Sequence, residues 1–232
     1  MEKYHHDLKK LPFEIETLQD LVNKSDAAYS DAIAVQYFEG KELKSCTYQK
    51  LSADIRQLSN ILVQMSIKNM NIALVGQNSY QWIVTFLGIC CSGNTAVLVD
   101  ANASVQELRR FLSKGEATYV LCDKKCMNKV VSACDELGRE ISVYDMNLPD
   151  GKFGKLSLVN QSEKEFLVQV QPKHIATIVF TSGSSGASKG VMLTHKNLVT
   201  DIKACQLLTK VDHSLSIFTV LPPHHAFQLT AG

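Results

Sequence analysis

From Ile175 to Leu198 the chain reads IATIVFTSGSSGASKGVMLTHKNL, a run of small and hydroxylated residues with one Lys set between two apolar stretches. The interior of a packed helix or strand does not use such a run. Gly183, Gly186 and Gly190 permit positive φ and close approach of backbone to a ligand, and consecutive amide N–H groups in such turns form concave anion sites. Thr181, Ser182, Ser184 and Ser185 add hydroxyl donors, while Lys189 adds a mobile point charge suited to phosphate oxygens. The chemistry implied is the holding of a phosphate tail. A surface linker shares this composition, but a linker has no use for the buried strand expected directly before it, Ile175 to Phe180.

Spacing separates this segment from other glycine-rich devices. The triphosphatase loop needs a Gly, four intervening residues, then Gly-Lys-Ser/Thr, yet here Ser188 precedes Lys189 and Gly190 follows it. The dinucleotide fingerprint fails because Ser185 lies two after Gly183, and the hydrolase elbow fails at Ala187. A serine hydrolase built on Ser184 or Ser185 is thereby disfavoured. Cys122 and Cys126 are four apart with no second Cys or His pair at ligand spacing, which argues against a zinc site. Cys90 and Cys91 read as small core residues, Tyr80 and Trp82 as core aromatics more than substrate contacts. His5-His6 is too short for a metal tract, and His195 and His224 read as structural.

The elements that would position the run are legible from periodicity. Leu51, Ile55, Leu58, Leu62 and Met65 form the stripe of an amphipathic helix entered from Thr47. Ile72 to Val75, ended by Gly76, reads as a strand buried on both faces. A helix from Tyr80 to Cys91 and a strand from Ala96 to Val99 follow. Ser104 with Glu107 makes a capping box for a helix that Gly115 ends. Tyr119 to Cys122 reads as a strand, Cys126 to Leu137 as a helix stopping at Gly138, and Ile141 to Tyr144 as another strand. Upstream, Ala34 to Phe38 and Leu43 to Tyr48 flank Glu39-Gly40-Lys41 as a hairpin.

This alternation predicts an α/β fold with a mainly parallel sheet covered by helices on both faces, plus a small N-terminal hairpin. The expected organisation is a first lobe over 1–146, a connecting segment over 147–174, and the start of a second lobe over 175–232. In that second lobe the expectations are a strand at Ile175 to Phe180, a loop from Thr181 to Gly190, a helix on Leu198, Ile202, Cys205 and Leu208, and a strand at Ser216 to Leu221.

Composition narrows the classes of partner. The 232 residues carry 24 Lys and Arg against 23 Asp and Glu, a formal charge of +1, so no bulk field gathers nucleic acid or anionic lipid. An anion must be held locally. Seven cysteines are an odd set in a chain too large to need a disulfide scaffold, which points to reduced thiols in a cytoplasm. No apolar run has the length of a signal peptide at the start, or approaches the ~18 residues of a membrane span elsewhere.

Phe180 to Gly190 resembles the signature loop of the adenylate-forming superfamily, which is written roughly Tyr/Phe-Thr-Ser/Thr-Gly-Ser/Thr-Ser/Thr-Gly-x-Pro-Lys-Gly and includes acyl-CoA synthetases, luciferases and the adenylation domains of peptide synthetases. Ser188 stands where Pro is usual. The segment LPPHHAF, Leu221 to Phe227, is similar to the superfamily's Leu-Pro-x-x-His segment, with His225 at the His position. Thr47-Tyr48 with Leu51, and Asn71 to Gly93, are similar to its N-terminal structural segments, so the resemblance spans about Ile33 to Gly232. Pro-Pro-His-His is most similar to the fatty-acid CoA ligase branch.

The resemblance implies ATP, Mg²⁺ and CoA as cofactors and a carboxylic, most simply fatty, acid as substrate. Thr181, Ser182, Gly183, Ser184, Ser185, Gly186 and Lys189 would bind the β- and γ-phosphates, with Thr181 near Mg²⁺. Lys189 and His225 would be catalytic, His225 beside the carboxylate. The superfamily's adenine, ribose, hinge and lid residues have no counterpart here, so the chain reads as an N-terminal portion without turnover of its own. Its cut sheet is expected to self-associate or to rely on the remaining half of the enzyme. The alternatives are a non-catalytic nucleotide-binding or interaction module and an adenylation domain that loads a carrier protein.

Overall fold

The computed structural model describes residues 13–146, 165–181, 188–209, 216–219 and 221–224. The first helix, α1 (Leu18–Tyr29), was not expected from the sequence. Its signal is a reciprocal cap: the Thr17 hydroxyl accepts from the Asp20 N–H while the Asp20 carboxylate accepts from the Thr17 N–H. Asp stands where the usual box has Glu or Gln. A hairpin follows, β1 (Ile33–Glu39) and β2 (Glu42–Thr47), turned at Gly40 with φ of 63°. Thr47 then caps α2 (Tyr48–Gln64) by accepting from the Lys50 N–H.

The α/β alternation expected from periodicity runs β3 (Asn71–Gly76), α3 (Tyr80–Cys91), β4 (Thr95–Asp100), α4 (Val105–Lys114), β5 (Tyr119–Cys122), α5 (Met127–Asp135) and β6 (Ser142–Asp145). The capping box of Ser104 and Glu107 is present at the start of α4, and Gly115 is its C-cap. The stripe from Cys126 divides into a 3₁₀ turn at Lys124–Cys126 and α5, which stops at Asp135. Gly138, with φ of 64°, turns the chain just beyond.

Three further elements follow: β7 (Ile175–Thr181), β8 (Lys189–Thr194) and α6 (His195–Thr209). The loop expected over Thr181 to Gly190 is shorter at both ends, because Thr181 closes β7 and Lys189-Gly190 opens β8. The apolar triplet Val191-Met192-Leu193 drives this, since it lies alongside β7 and completes its ladder. The strand expected at Ser216 to Leu221 does not form among the described residues of that range: 216–219 are irregular, and Phe218 is 85% exposed. Residues 147–164, within the expected connecting segment, lie outside the described residues.

One six-stranded sheet has the order β6-β5-β3-β4-β7-β8, parallel except for β8, which runs antiparallel to β7. The segment set apart in sequence as the start of a second lobe therefore continues, through β7 and β8, the sheet that contains β3 and β4. Side chains alternate across it. Ile72, Leu74, Leu98 and Val179 face α1, α2, α3 and α6, while Val75, Val97, Val120 and Ile178 face α4 and α5. Burial on both faces is what the unbroken apolar runs required.

Buried amides hold the approach to β7. Asn60 on α2 donates to the Glu165 carbonyl and accepts from the Leu167 N–H, each at 2.9 Å. Gln19 on α1 donates at 2.8 Å to the carbonyls of Cys91 and Val168 and accepts from the Val170 N–H. These side chains substitute for a strand ladder over 165–170. Among the described residues no helix is long and apolar enough to cross a membrane.

Candidate active site at the C-terminal edge of the sheet

Where consecutive crossover helices leave a parallel sheet on opposite faces, the carboxyl ends of the strands diverge into a crevice. Here α3 leaves β3 toward one face and α4 leaves β4 toward the other, so that rule puts the crevice just beyond the paired strand ends Gly76 and Asp100. The Asp123 carboxylate folds over the end of β3 and accepts from the Gln77 N–H at 2.7 Å. Gly76 permits this, because a Cβ there would stand 2.9 Å from the carboxylate oxygen. Across the crevice Gln77 Nε2 donates to Asn102 Oδ1 at 3.3 Å.

Two of the sequence-derived site residues come together beside this crevice. Thr181 and Lys189 are direct Cα partners in the β7–β8 ladder, at the carboxyl end of β7, and both are exposed. The hydroxyl and the ammonium thus flank the two stems of the glycine-rich segment. Ser182, Gly183, Ser184, Ser185 and Gly186 lie outside the described residues, as does His225. The segment preceding His225 is placed: Asn78, just before α3, donates from Nδ2 to the Leu221 carbonyl at 2.7 Å, and Pro223 is buried. The Leu221 carbonyl therefore lies beside Asn78, two residues beyond the end of β3.

Gly190 has a different role from the one its type suggested. It sits within β8 opposite Phe180, and a Cβ there would come 3.3 Å from the Phe180 ring and 3.2 Å from Ile178 Cγ2. It makes room for a core aromatic. The Phe180 ring in turn packs on Phe111 of α4 with centroids 4.6 Å apart. Lys114, one turn further along α4, donates to the Ser188 carbonyl at 2.7 Å. Neither Phe111 nor Lys114 was marked in the sequence, since only tertiary contact relates them to this segment.

Other groups weighed in the sequence are buried and packed. Tyr80 is buried, stacks on Tyr37 and donates to Asp54 at 2.7 Å, while Trp82 stacks on Phe86. Burial pushes the Cys122 thiol up to about 12, and its sulfur lies 3.9 Å from Met127 Sδ. No disulfide joins the cysteines. His195 is 1% exposed: its Nδ1 accepts from the Leu18 N–H at 3.2 Å, and the Cys90 backbone also hydrogen-bonds the ring. Among the described residues no group of three or more His, Cys, Asp or Glu could hold a metal ion. Thr181 offers one neutral oxygen, so a hard cation such as Mg²⁺ would need most of its ligands from elsewhere, as nucleotide phosphates supply them.

Comparison with known proteins agrees with this architecture. The chain is 29% identical over 241 residues to a probable chloroplastic acyl-activating enzyme 16 of Arabidopsis thaliana, covering 93% of this chain and 33% of that protein. It is 26% identical over 263 residues to a long-chain-fatty-acid–CoA ligase of Bacillus subtilis (strain 168), covering 99% of this chain and 46% of the ligase. The chain thus spans a third to a half of these relatives. Among solved structures, a long-chain-fatty-acid-CoA ligase from Archaeoglobus fulgidus superposes with a TM-score of 0.82 at 19% identity, over 99% of this chain and 47% of that one. The family model described as AMP-binding enzyme matches residues 22–232, and with the doubly wound sheet and the paired stems of the signature segment in place, the chain belongs to the AMP-binding enzyme family.

Proposed function

We propose that this chain carries the phosphate-binding portion of an ATP-dependent acid–thiol ligase that activates a fatty acid as its acyl adenylate and passes the acyl group to CoA. The observation that carries the reading is the pairing of Thr181 with Lys189 at the carboxyl end of β7, beside the crevice. The names of similar enzymes support a fatty acid as substrate, and they include both a CoA ligase and an acyl-carrier-protein ligase. In this reading a carboxylate oxygen bonds to the α-phosphorus of ATP, the bond from that phosphorus to the bridging oxygen breaks, and pyrophosphate leaves. A thiol then takes the acyl group, and AMP leaves.

The protein's task in the first step is to stabilise charge on the departing phosphates, and donors fixed beforehand do this without reorganisation. Lys189 supplies the cation and Thr181 a hydroxyl, with Ser182, Gly183, Ser184, Ser185 and Gly186 between them contributing amides and hydroxyls. Thr181 would add one oxygen to Mg²⁺, which supplies charge neutralisation when it arrives on the nucleotide. By the resemblance, His225 would act at the acyl carboxylate.

The test is ATP–pyrophosphate exchange by the full-length protein with a panel of carboxylic acids. Exchange that requires a fatty acid, and that falls at least about a hundredfold in Lys189→Ala, is the expected result. No exchange with any acid, or full exchange by Lys189→Ala, overturns the reading. Thioester formation on CoA, against transfer to an acyl carrier protein, then decides the acceptor.

A further inference from the structure

We infer that Lys114 is a positioning residue for the phosphate-binding segment, tethering Ser188 so that Lys189 is held in place where a proline would otherwise stiffen the turn. The inference rests on the reading of Thr181 and Lys189 given above and extends it to a residue outside the signature. In the superfamily pattern the residue before the Lys is Pro, which locks φ and lowers the entropy of the chain. Here it is Ser188, which lacks that restraint. Its carbonyl accepts from the Lys114 ammonium at 2.7 Å, across 74 residues of sequence. The restraint missing from the covalent structure is replaced by a tertiary hydrogen bond.

The tether acts with a second contact from the same turn of helix. Phe111 and Lys114 are three apart on α4 and project from one face. Phe111 packs on Phe180 at 4.6 Å, and the Arg110 guanidinium lies 5.1 Å over the opposite partner, the Phe111 ring. One stem is thus gripped at Phe180, immediately before Thr181. The other is gripped at Ser188, immediately before Lys189. Both grips come from the last turn of α4, whose capping box and buried Leu108 and Leu112 anchor it to the sheet. Lys114 also lies at the negative end of the α4 dipole, which favours its charge there.

Two readouts in the full-length protein test this. The first is trypsin cleavage after Lys189, followed by fragment mass, which reports local opening of β8 and needs no nucleotide. Lys114→Met is expected to speed that cleavage about fivefold, the effect of losing one net hydrogen bond, with the thermal midpoint little changed. Lys114→Arg, which keeps a cationic donor, and the double variant Lys114→Met/Ser188→Pro should both return toward the wild-type rate. The second readout is pyrophosphate exchange, where Lys114→Met should raise KM for ATP about fivefold with kcat less affected, rescued by the same two changes. Unchanged cleavage in Lys114→Met overturns the inference, as does a defect that neither Arg nor Ser188→Pro relieves. Wild-type protein without exchange would sink the ligase reading alone, since the cleavage arm judges the tether independently.

Discussion

Acidification should loosen this fold through a single buried side chain. His195 begins α6 and reaches across to the first turn of α1, where its Nδ1 accepts the otherwise unpaired N–H of Leu18. Burial, reinforced by the neighbouring His174, lowers its pKa from 6.5 to about 4, with only Asp20 and the Cys90 backbone acting the other way. A proton on Nδ1 would abolish the acceptor and set positive charge against the positive end of the α1 dipole. The folded pKa lies below the unfolded one, so the unfolded chain takes up the proton first as pH falls. Stability is therefore whole above pH of about 6.5 and is lost progressively down to about 4. From pH about 7.5 to about 5 the loss is about 2 kcal/mol, an upper figure, and in a chain of this size it lowers the melting temperature by about 4 to 8 °C. His195→Gln keeps an acceptor that does not titrate. Thermal melts of both proteins across that range should show a steep fall for wild type and a shallower one for the variant. Parallel curves would refute the argument, because they would assign the acid sensitivity to other groups.

Two further outcomes follow from the packing. Asn60→Leu removes the partners of the Glu165 carbonyl and the Leu167 N–H together, and should cost about 2 kcal/mol; a lowered urea midpoint with unchanged slope is the expected signature, along with faster amide exchange at Leu167. Gly190→Ala places a methyl group against Phe180 and Ile178 and should cost about 1 to 2 kcal/mol by overpacking. A melting temperature unaltered by Gly190→Ala would show that Phe180 has room to move, contrary to the contact distances.

The central α/β alternation was readable because β3, β4 and β5 are buried on both faces and the helices pack one face on the sheet, so burial left its period in the sequence. Tyr80 to Cys91 and Tyr119 to Cys122 match the observed bounds for that reason. β8 escaped because it is a short edge strand whose exposed Met192, at 62%, gives it no buried alternation to display. α1 escaped because its cap uses Asp20 in place of Glu. Of the candidate site, the residue types between Thr181 and Lys189 are what suggested the phosphate-binding chemistry proposed for them. The grips on its stems did not, since Phe111, Lys114 and Asn78 are joined to it only by folding.

The ladder that makes Thr181 and Lys189 partners also fixes which face of the sheet each residue of β8 presents. Side chains on a strand alternate between faces, so slipping β8 by one position would turn Lys189 to the other side, send Gly190 away from Phe180 and bring a branched side chain against that ring. An insertion or deletion inside β8 would therefore invert every residue beyond it, whereas a substitution alters one side chain at a time. The strand is constrained in register before it is constrained in composition.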